Sequence, residues 1–143
     1  MENQTIEKQA LNPEEIQEIE YLSKGAYHWR NKRIPSNYYN VLKEIRRVKP
    51  KTIIDLGCGD GYFTNILRKE FPNTLGIDYS KIALDLGTSK EHSLRTILAN
   101  AIDLPIGTNT VDVVCAIEML EHNAPEHAQG VIQEAYRVLN ENG

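Results

Sequence analysis

Apolar residues along this chain fall into two kinds of pattern, short β-branched runs and stripes of helical period, and their alternation predicts a series of strand and helix units. Residues 1–12 are polar and carry no periodic apolar set. From Pro13 the sequence PEEIQEIEYLSKG puts Pro and two glutamates in a first turn, with Ile16, Ile19 and Leu22 at near-helical spacing before Gly25. That predicts a short helix. Ser36 is placed to cap a second helix reaching about Val48, with Tyr38, Val41, Leu42 and Ile45 on one face and Pro50 ending it. Lys51 to Leu56 reads as the first strand.

A helix with Phe63, Ile66 and Leu67 on its apolar stripe follows and is stopped by Pro72, and Thr74 to Asp78 is a second strand. Ser80 can cap the next helix, which carries Ile82, Ala83 and Leu86 and which Gly87 suggests is short. Arg95 to Ala99 makes a third strand and Asp103 to Ile106 a loop. Val111 to Ile117 is a fourth strand, so continuously apolar that it suits burial on both faces. A last helix runs from about Pro125 to Leu139 with Val131, Ile132, Ala135, Val138 and Leu139 inward, and Gly130 costs it about 1 kcal/mol. Strands and helices alternating at this spacing imply right-handed crossovers and a parallel sheet, an α/β fold.

With 143 residues, 41% of them apolar, one domain with a genuine core is expected. We divide the chain into an N-terminal helix and flap segment, residues 1–35, and a ligand-binding domain, residues 36–143. A net charge of −4 creates no general attraction to phosphate backbones, so a small-molecule substrate is the easier default and nucleic acid is not expected as a partner. Cys58 and Cys115 form no C-x-x-C pair and read as reduced thiols, which suits a cytoplasmic protein. No apolar run approaches the ~20 residues that span a bilayer. Three cations surround the only tryptophan in Tyr27 to Arg33. This is either a flap or anion site, or, more simply, a solvated loop anchored by a buried Trp29.

The most informative stretch is Thr52 to Thr64, where the first strand ends in Asp55-x-Gly57-x-Gly59-x-Gly61. Glycines at alternate positions permit positive φ and bring backbone N–H groups and a helix N-terminus close to a ligand. Dinucleotide enzymes use G-x-G-x-x-G to receive a pyrophosphate. Here an acid stands at the strand tip and Asp60 beside the last glycine, which repels a diphosphate and suits a ligand with a cationic end. Asp55, Asp78, Asn100, Asp103 and Glu118 all fall at carboxyl ends of strands, where open α/β sheets bind ligands.

This arrangement resembles the class I S-adenosylmethionine-dependent methyltransferases, and over residues 36–143 most resembles the small-molecule group containing the ubiquinone-biosynthesis O-methyltransferases. The resemblance implies a Rossmann-like parallel sheet of strand order 3-2-1-4 with helices on both faces. It implies that Asp55, Gly57, Cys58, Gly59 and Gly61 hold the methionine end of S-adenosylmethionine. Asp78 would accept from both ribose hydroxyls, with Tyr79 beside it. Ala99 to Ile106 is similar to the family segment Gly-Asp-Ala-x-x-Leu-Pro-Phe, whose aspartate receives the adenine amino group. Asn100 stands at that position here, followed by Ala101 and Ile102. Its amide oxygen can accept the same bond without charge. Ile102 and Leu104 either flank the adenine or fill core.

Glu118-Met119-Leu120-Glu121-His122 resembles the family loop after the fourth strand. Glu118 is expected at the cofactor, and His122, with Glu118, is the candidate catalytic group for removing an acceptor proton. In some members, and in RNA 2′-O-methyltransferases, an E-x-x-E-H set binds a divalent metal. Glu118, Glu121 and His122 are therefore a candidate site for magnesium or manganese, with His127 a weaker one. The family sheet has seven strands, and the last three are lacking in this sequence. A fourth strand left with an open apolar edge is a template for association. A truncated enzyme, a homodimer and a split enzyme completed by another chain all remain open, as do a module that binds cofactor or a catalytic partner without transferring methyl groups and an RNA 2′-O-methyltransferase, which E-x-x-E-H and the Arg30 to Arg33 cluster suggest and the overall acidity opposes.

Overall fold

A computed structural model describes residues 33–143. The N-terminal helix expected from Pro13 and most of the flap around Trp29 lie outside the described residues. Helix α1 (Ser36–Val48) leads into β1 (Ile53–Leu56), α2 (Tyr62–Glu70), β2 (Thr74–Asp78), α3 (Lys81–Lys90), β3 (Thr96–Leu98), β4 (Val113–Cys115), a 3-10 turn (Leu120–His122) and α4 (Pro125–Val138). The four strands are parallel in the order β3-β2-β1-β4, with Asp55 opposite Gly76 and Cys115. Among the described residues no helix is long and apolar enough to cross a membrane.

β1 is buried at all four positions, as a central strand covered on both faces must be. Its alternate side chains serve two cores. Ile53 packs with Leu42 and Ile45 of α1 and with Phe63 and Leu67 of α2. Ile54 and Leu56 face the opposite way, toward Val131 and Val138 of α4. Asp55 shares the α1 and α2 side of the sheet with Ile53, which carries its carboxyl toward Thr64.

Several details differ from the sequence expectation. Ser36 is the first helical residue and caps nothing, because Pro35 takes the N-cap position and its carbonyl accepts from Tyr39 N–H at 2.9 Å. Ser80 does cap, its Oγ accepting from Ala83 N–H at 3.1 Å. Gly87 does not shorten α3, which continues to Lys90. It lies where a Cβ would stand 2.1 Å from the Asp60 carbonyl oxygen, so it is a close-packing glycine. α3 accordingly buries Ala83, Leu84 and Gly87 and leaves Ile82 exposed. Ile132 likewise faces outward on α4, one residue around from buried Val131. Gly130 is explained by Ile102, whose Cγ2 lies 2.9 Å from where its Cβ would be.

The fourth strand is shorter than its apolar run. Asp112 breaks regular pairing: its carboxylate accepts from Lys51 N–H at 2.7 Å, Thr52 N–H at 2.9 Å and Asn140 Nδ2 at 2.5 Å. These hydrogen bonds, the Thr52 amide first, hold it below the usual carboxylate range. Before that break, Val111 forms a parallel bridge with Leu139, donating to Val138 O and accepting from Asn140 N–H. The chain leaving α4 thus begins to run alongside the start of β4.

Candidate cofactor site

Three glycines make the turn between β1 and α2, and each adopts the left-handed conformation, with φ of 66° at Gly57, 55° at Gly59 and 71° at Gly61. Residues with a Cβ lose roughly 1–2 kcal/mol there. The three face different surroundings. Met119 lies against Gly57, its Cγ 2.9 Å from a Cβ position, and Leu94 crowds Gly61. A side chain at Gly59 would meet no atom within 4 Å. Gly59 is therefore the point at which bare backbone faces open space.

Asp78, 8% exposed at the tip of β2, reaches this turn. Its Oδ2 accepts from Gly59 N–H and its Oδ1 from Ser80 N–H, both at 2.8 Å. Each oxygen keeps a further lone pair, so the carboxylate can accept from a diol as well. Tyr79, next in sequence, is 81% exposed, and Ile102 across the strand ends is 41% exposed. Leu104 is buried in the core, so of the two apolar residues in that segment only Ile102 is available to a ligand. Ala101 is buried beneath it. Asn100 is exposed, with Oδ1 accepting from Ile102 N–H at 3.2 Å, a local turn that orients its amide.

Asp55 is placed differently from the other acids. It is 3% exposed, and its Oδ2 accepts from the Thr64 hydroxyl at 2.6 Å. Burial pushes its carboxyl up to about 7, against the opposing effect of the Thr64 hydrogen bond and with help from the charge of Asp78. Thr64 was not singled out in the sequence, although a hydroxyl on the apolar stripe beside Phe63 is the signal that would have found it. Cys58 packs against Gly76, where a Cβ would lie 2.8 Å from its sulfur. Burial, then the charges of Asp55 and Asp78, raise this thiol, and burial lifts Cys115 to about 12. Neither is activated as a nucleophile.

The loop at Asp103 to Ile106 is braced from α4. Arg137 donates to the carbonyls of Ile106 and Leu104 at 2.9 and 3.1 Å and to both oxygens of Glu134, which also accepts from Leu104 N–H. The Arg137 hydrogen bond holds the Glu134 carboxyl down at about 2.

Beyond β4, the structure does not gather the expected metal ligands. Glu118 turns toward α1, its Oε1 accepting from Asn37 Nδ2 at 2.7 Å, while Glu121 and His122 are exposed on the 3-10 turn. Among the described residues no three His, Cys, Asp or Glu side chains converge as metal ligands. The magnesium or manganese site expected at Glu118, Glu121 and His122, with or without His127, is thus corrected. Neighbours in a tight turn fan outward, so closeness in sequence does not bring donors together.

Residues 54–143 match the methyltransferase domain family, and the chain belongs to it. The chain is 31% identical over 146 residues to a ubiquinone biosynthesis O-methyltransferase of Nitrosomonas europaea, covering 88% of this chain and 59% of that protein. It therefore spans about three fifths of the length of that curated relative. A sugar N-methyltransferase from Streptoalloteichus has the same fold over 100% of this chain and 56% of its own, at a TM-score of 0.70 and 19% identity. A Haloferax volcanii complex containing a methyltransferase activator matches at a TM-score of 0.56 and 26% identity, over 63% of this chain and 40% of that one. The family is S-adenosylmethionine-dependent, and the four strands carry its Rossmann-like order.

Proposed function

We propose that this chain is the cofactor-binding part of an S-adenosylmethionine-dependent methyltransferase acting on a small molecule such as a sugar, a quinone precursor or a natural product. One observation carries the reading: the Asp78 carboxylate accepts from the bare backbone of Gly59 at the carboxyl end of the parallel sheet, where exposed Tyr79 and Ile102 follow the neighbouring strands β2 and β3. Such a set suits a nucleoside, with a diol for the carboxylate and a flat base for the two apolar side chains. The ubiquinone O-methyltransferase relative supports small-molecule chemistry.

S-Adenosylmethionine supplies an electrophilic methyl group on sulfur. In this reading Asp78 holds the ribose, Tyr79, Ala101 and Ile102 border the base, and the Asn100 amide answers its amino group. Gly57 to Gly61, with Cys58 beneath, receive the amino-acid end, and buried Asp55 supports that turn through Thr64. His122 takes the proton of a hydroxyl acceptor, with Glu118 at the same mouth. Positioning is the chain's main contribution, since near-attack geometry replaces several kcal/mol of entropic cost.

Calorimetric titration with S-adenosylmethionine is expected to show one site per chain, weakened about tenfold or more by Asp78→Asn because a charged acceptor is lost. An absence of binding heat, or an unchanged affinity in the variant, overturns the assignment. Methyl transfer measured with and without a candidate partner then separates an enzyme from a binding module, binding without turnover indicating the module.

A partner at the β4 edge is the second part of the proposal. Among the described residues β4 pairs only with β1, and beside it an apolar groove of about 510 Å³ runs between Val41, Ile45 and Val48 of α1 and Val113 to Ile117. An extended segment from a longer chain, a second copy or a separate protein would satisfy the strand and fill the groove. Sedimentation of this chain alone is expected to show mass rising with concentration. A single monomeric species at every concentration, with β4 protected from hydrogen exchange, overturns it.

A further inference from the structure

One contact from a residue not assigned above ties α1 to the loop after β4. Asn37, in the first turn of that helix, donates to Glu118 across 81 positions of sequence. Glu118 stands at φ 53°, in the left-handed region that side chains rarely adopt. Such a conformation persists where the surroundings over-determine it. Here Asn37 fixes the side chain, and the next residue, Met119, is pressed against Gly57.

The first turn of α1 is itself packed on the start of α2, where that helix leaves the glycine turn. Tyr38 stacks on Phe63 with ring centroids 4.8 Å apart and lies 6.0 Å from Tyr62, which follows Gly61 directly. Contacts therefore run from the glycine turn through Tyr62 and Tyr38 to Asn37, and return through Glu118 and Met119 to Gly57. Among the described residues Asn37 makes the one hydrogen bond to the Glu118 carboxylate, at Oε1. A primary amide is a neutral donor, so it orients the carboxylate without cancelling its charge, as a lysine or arginine would. A carboxylate already held in one rotamer loses less entropy on meeting a cation.

We propose that Asn37 is a positioning residue: by holding one oxygen of Glu118 it presents the other to the cationic amino-acid end of the ligand bound over the glycine turn. This rests on the function proposed above. The test titrates the unaltered chain, Asn37→Ala, Glu118→Gln and the double variant with S-adenosylhomocysteine and with methylthioadenosine, which shares the nucleoside but lacks the amino-acid end. Asn37→Ala is expected to weaken S-adenosylhomocysteine about tenfold while leaving methylthioadenosine within about twofold. In the Glu118→Gln background it is expected to add less than about twofold, because Asn37 acts through Glu118. Equal losses for both ligands, or losses that multiply in the double variant, overturn the assignment while leaving the cofactor reading intact. Failure of the unaltered chain to bind either ligand overturns both.

Discussion

Gly87→Ala is expected to destabilise the chain by at least about 2 kcal/mol, the upper part of the range for overpacking, read as a lower urea midpoint. Helix propensity alone gives the opposite sign, since alanine in a helix interior is favoured over glycine by about 1 kcal/mol. Packing decides because the added methyl would stand 2.1 Å from the Asp60 carbonyl oxygen, and a backbone atom cannot swing aside as a side chain can. Asp60 lies between Gly59 and Gly61, so the strain enters the glycine turn directly. A Gly87→Ala chain with an unchanged or raised midpoint would show that α3 and the turn can separate at no cost.

Asp55→Asn is expected to flatten the pH dependence of stability. The folded-state value near 7 lies above the ordinary aspartate value, so between about pH 4 and pH 7 the folded chain binds more protons than the unfolded one. Stability contributed by this group is fully present below the lower value and is lost as pH rises toward 7. The loss is about 4 kcal/mol at most, since each pH unit between the two values corresponds to ~1.4 kcal/mol. An amide preserves an acceptor for the Thr64 hydroxyl and carries no charge, so Asp55→Asn is expected to unfold at higher denaturant than the unaltered chain at pH 8 and alike at pH 4. The same substitution is expected to weaken S-adenosylmethionine, a trade of function against stability. Parallel pH profiles of the two chains would place the titrating group elsewhere.

Patterning of the chain carried the architecture further than the chemistry. β2 was legible to both ends and α1 to within its cap, because strong amphipathic or β-branched runs were bounded by proline and by strand-tip acids. The start of β4 was placed too early because hydrophobicity cannot show that the Asp112 carboxylate would be held by Lys51, Thr52 and Asn140 from other segments. Ile132 was placed inward on apolar character alone, and the buried face of α3, which leaves Ile82 exposed, is set by the approach of Gly87 to Asp60. The glycine turn and Asp78 were visible as candidates because their spacing relative to strand ends is local. Asn37, Thr64 and the Arg137 brace were hidden for the converse reason: each acts on a partner from another element. The metal set failed on the same ground, since three donors within five residues say nothing of where their side chains meet.

The brace from α4 gives the loop at Leu104 to Ile106 an unusual dependence. The Leu104 and Ile106 carbonyls and the Leu104 amide are spoken for by Arg137 and Glu134, and Arg137 sits one residue before the end of the helix. Fraying of the last helical turn therefore releases the loop at Leu104 to Ile106 at the same moment. The last turn of α4 thus acts as a fastening for a loop that lies more than thirty positions earlier in the chain.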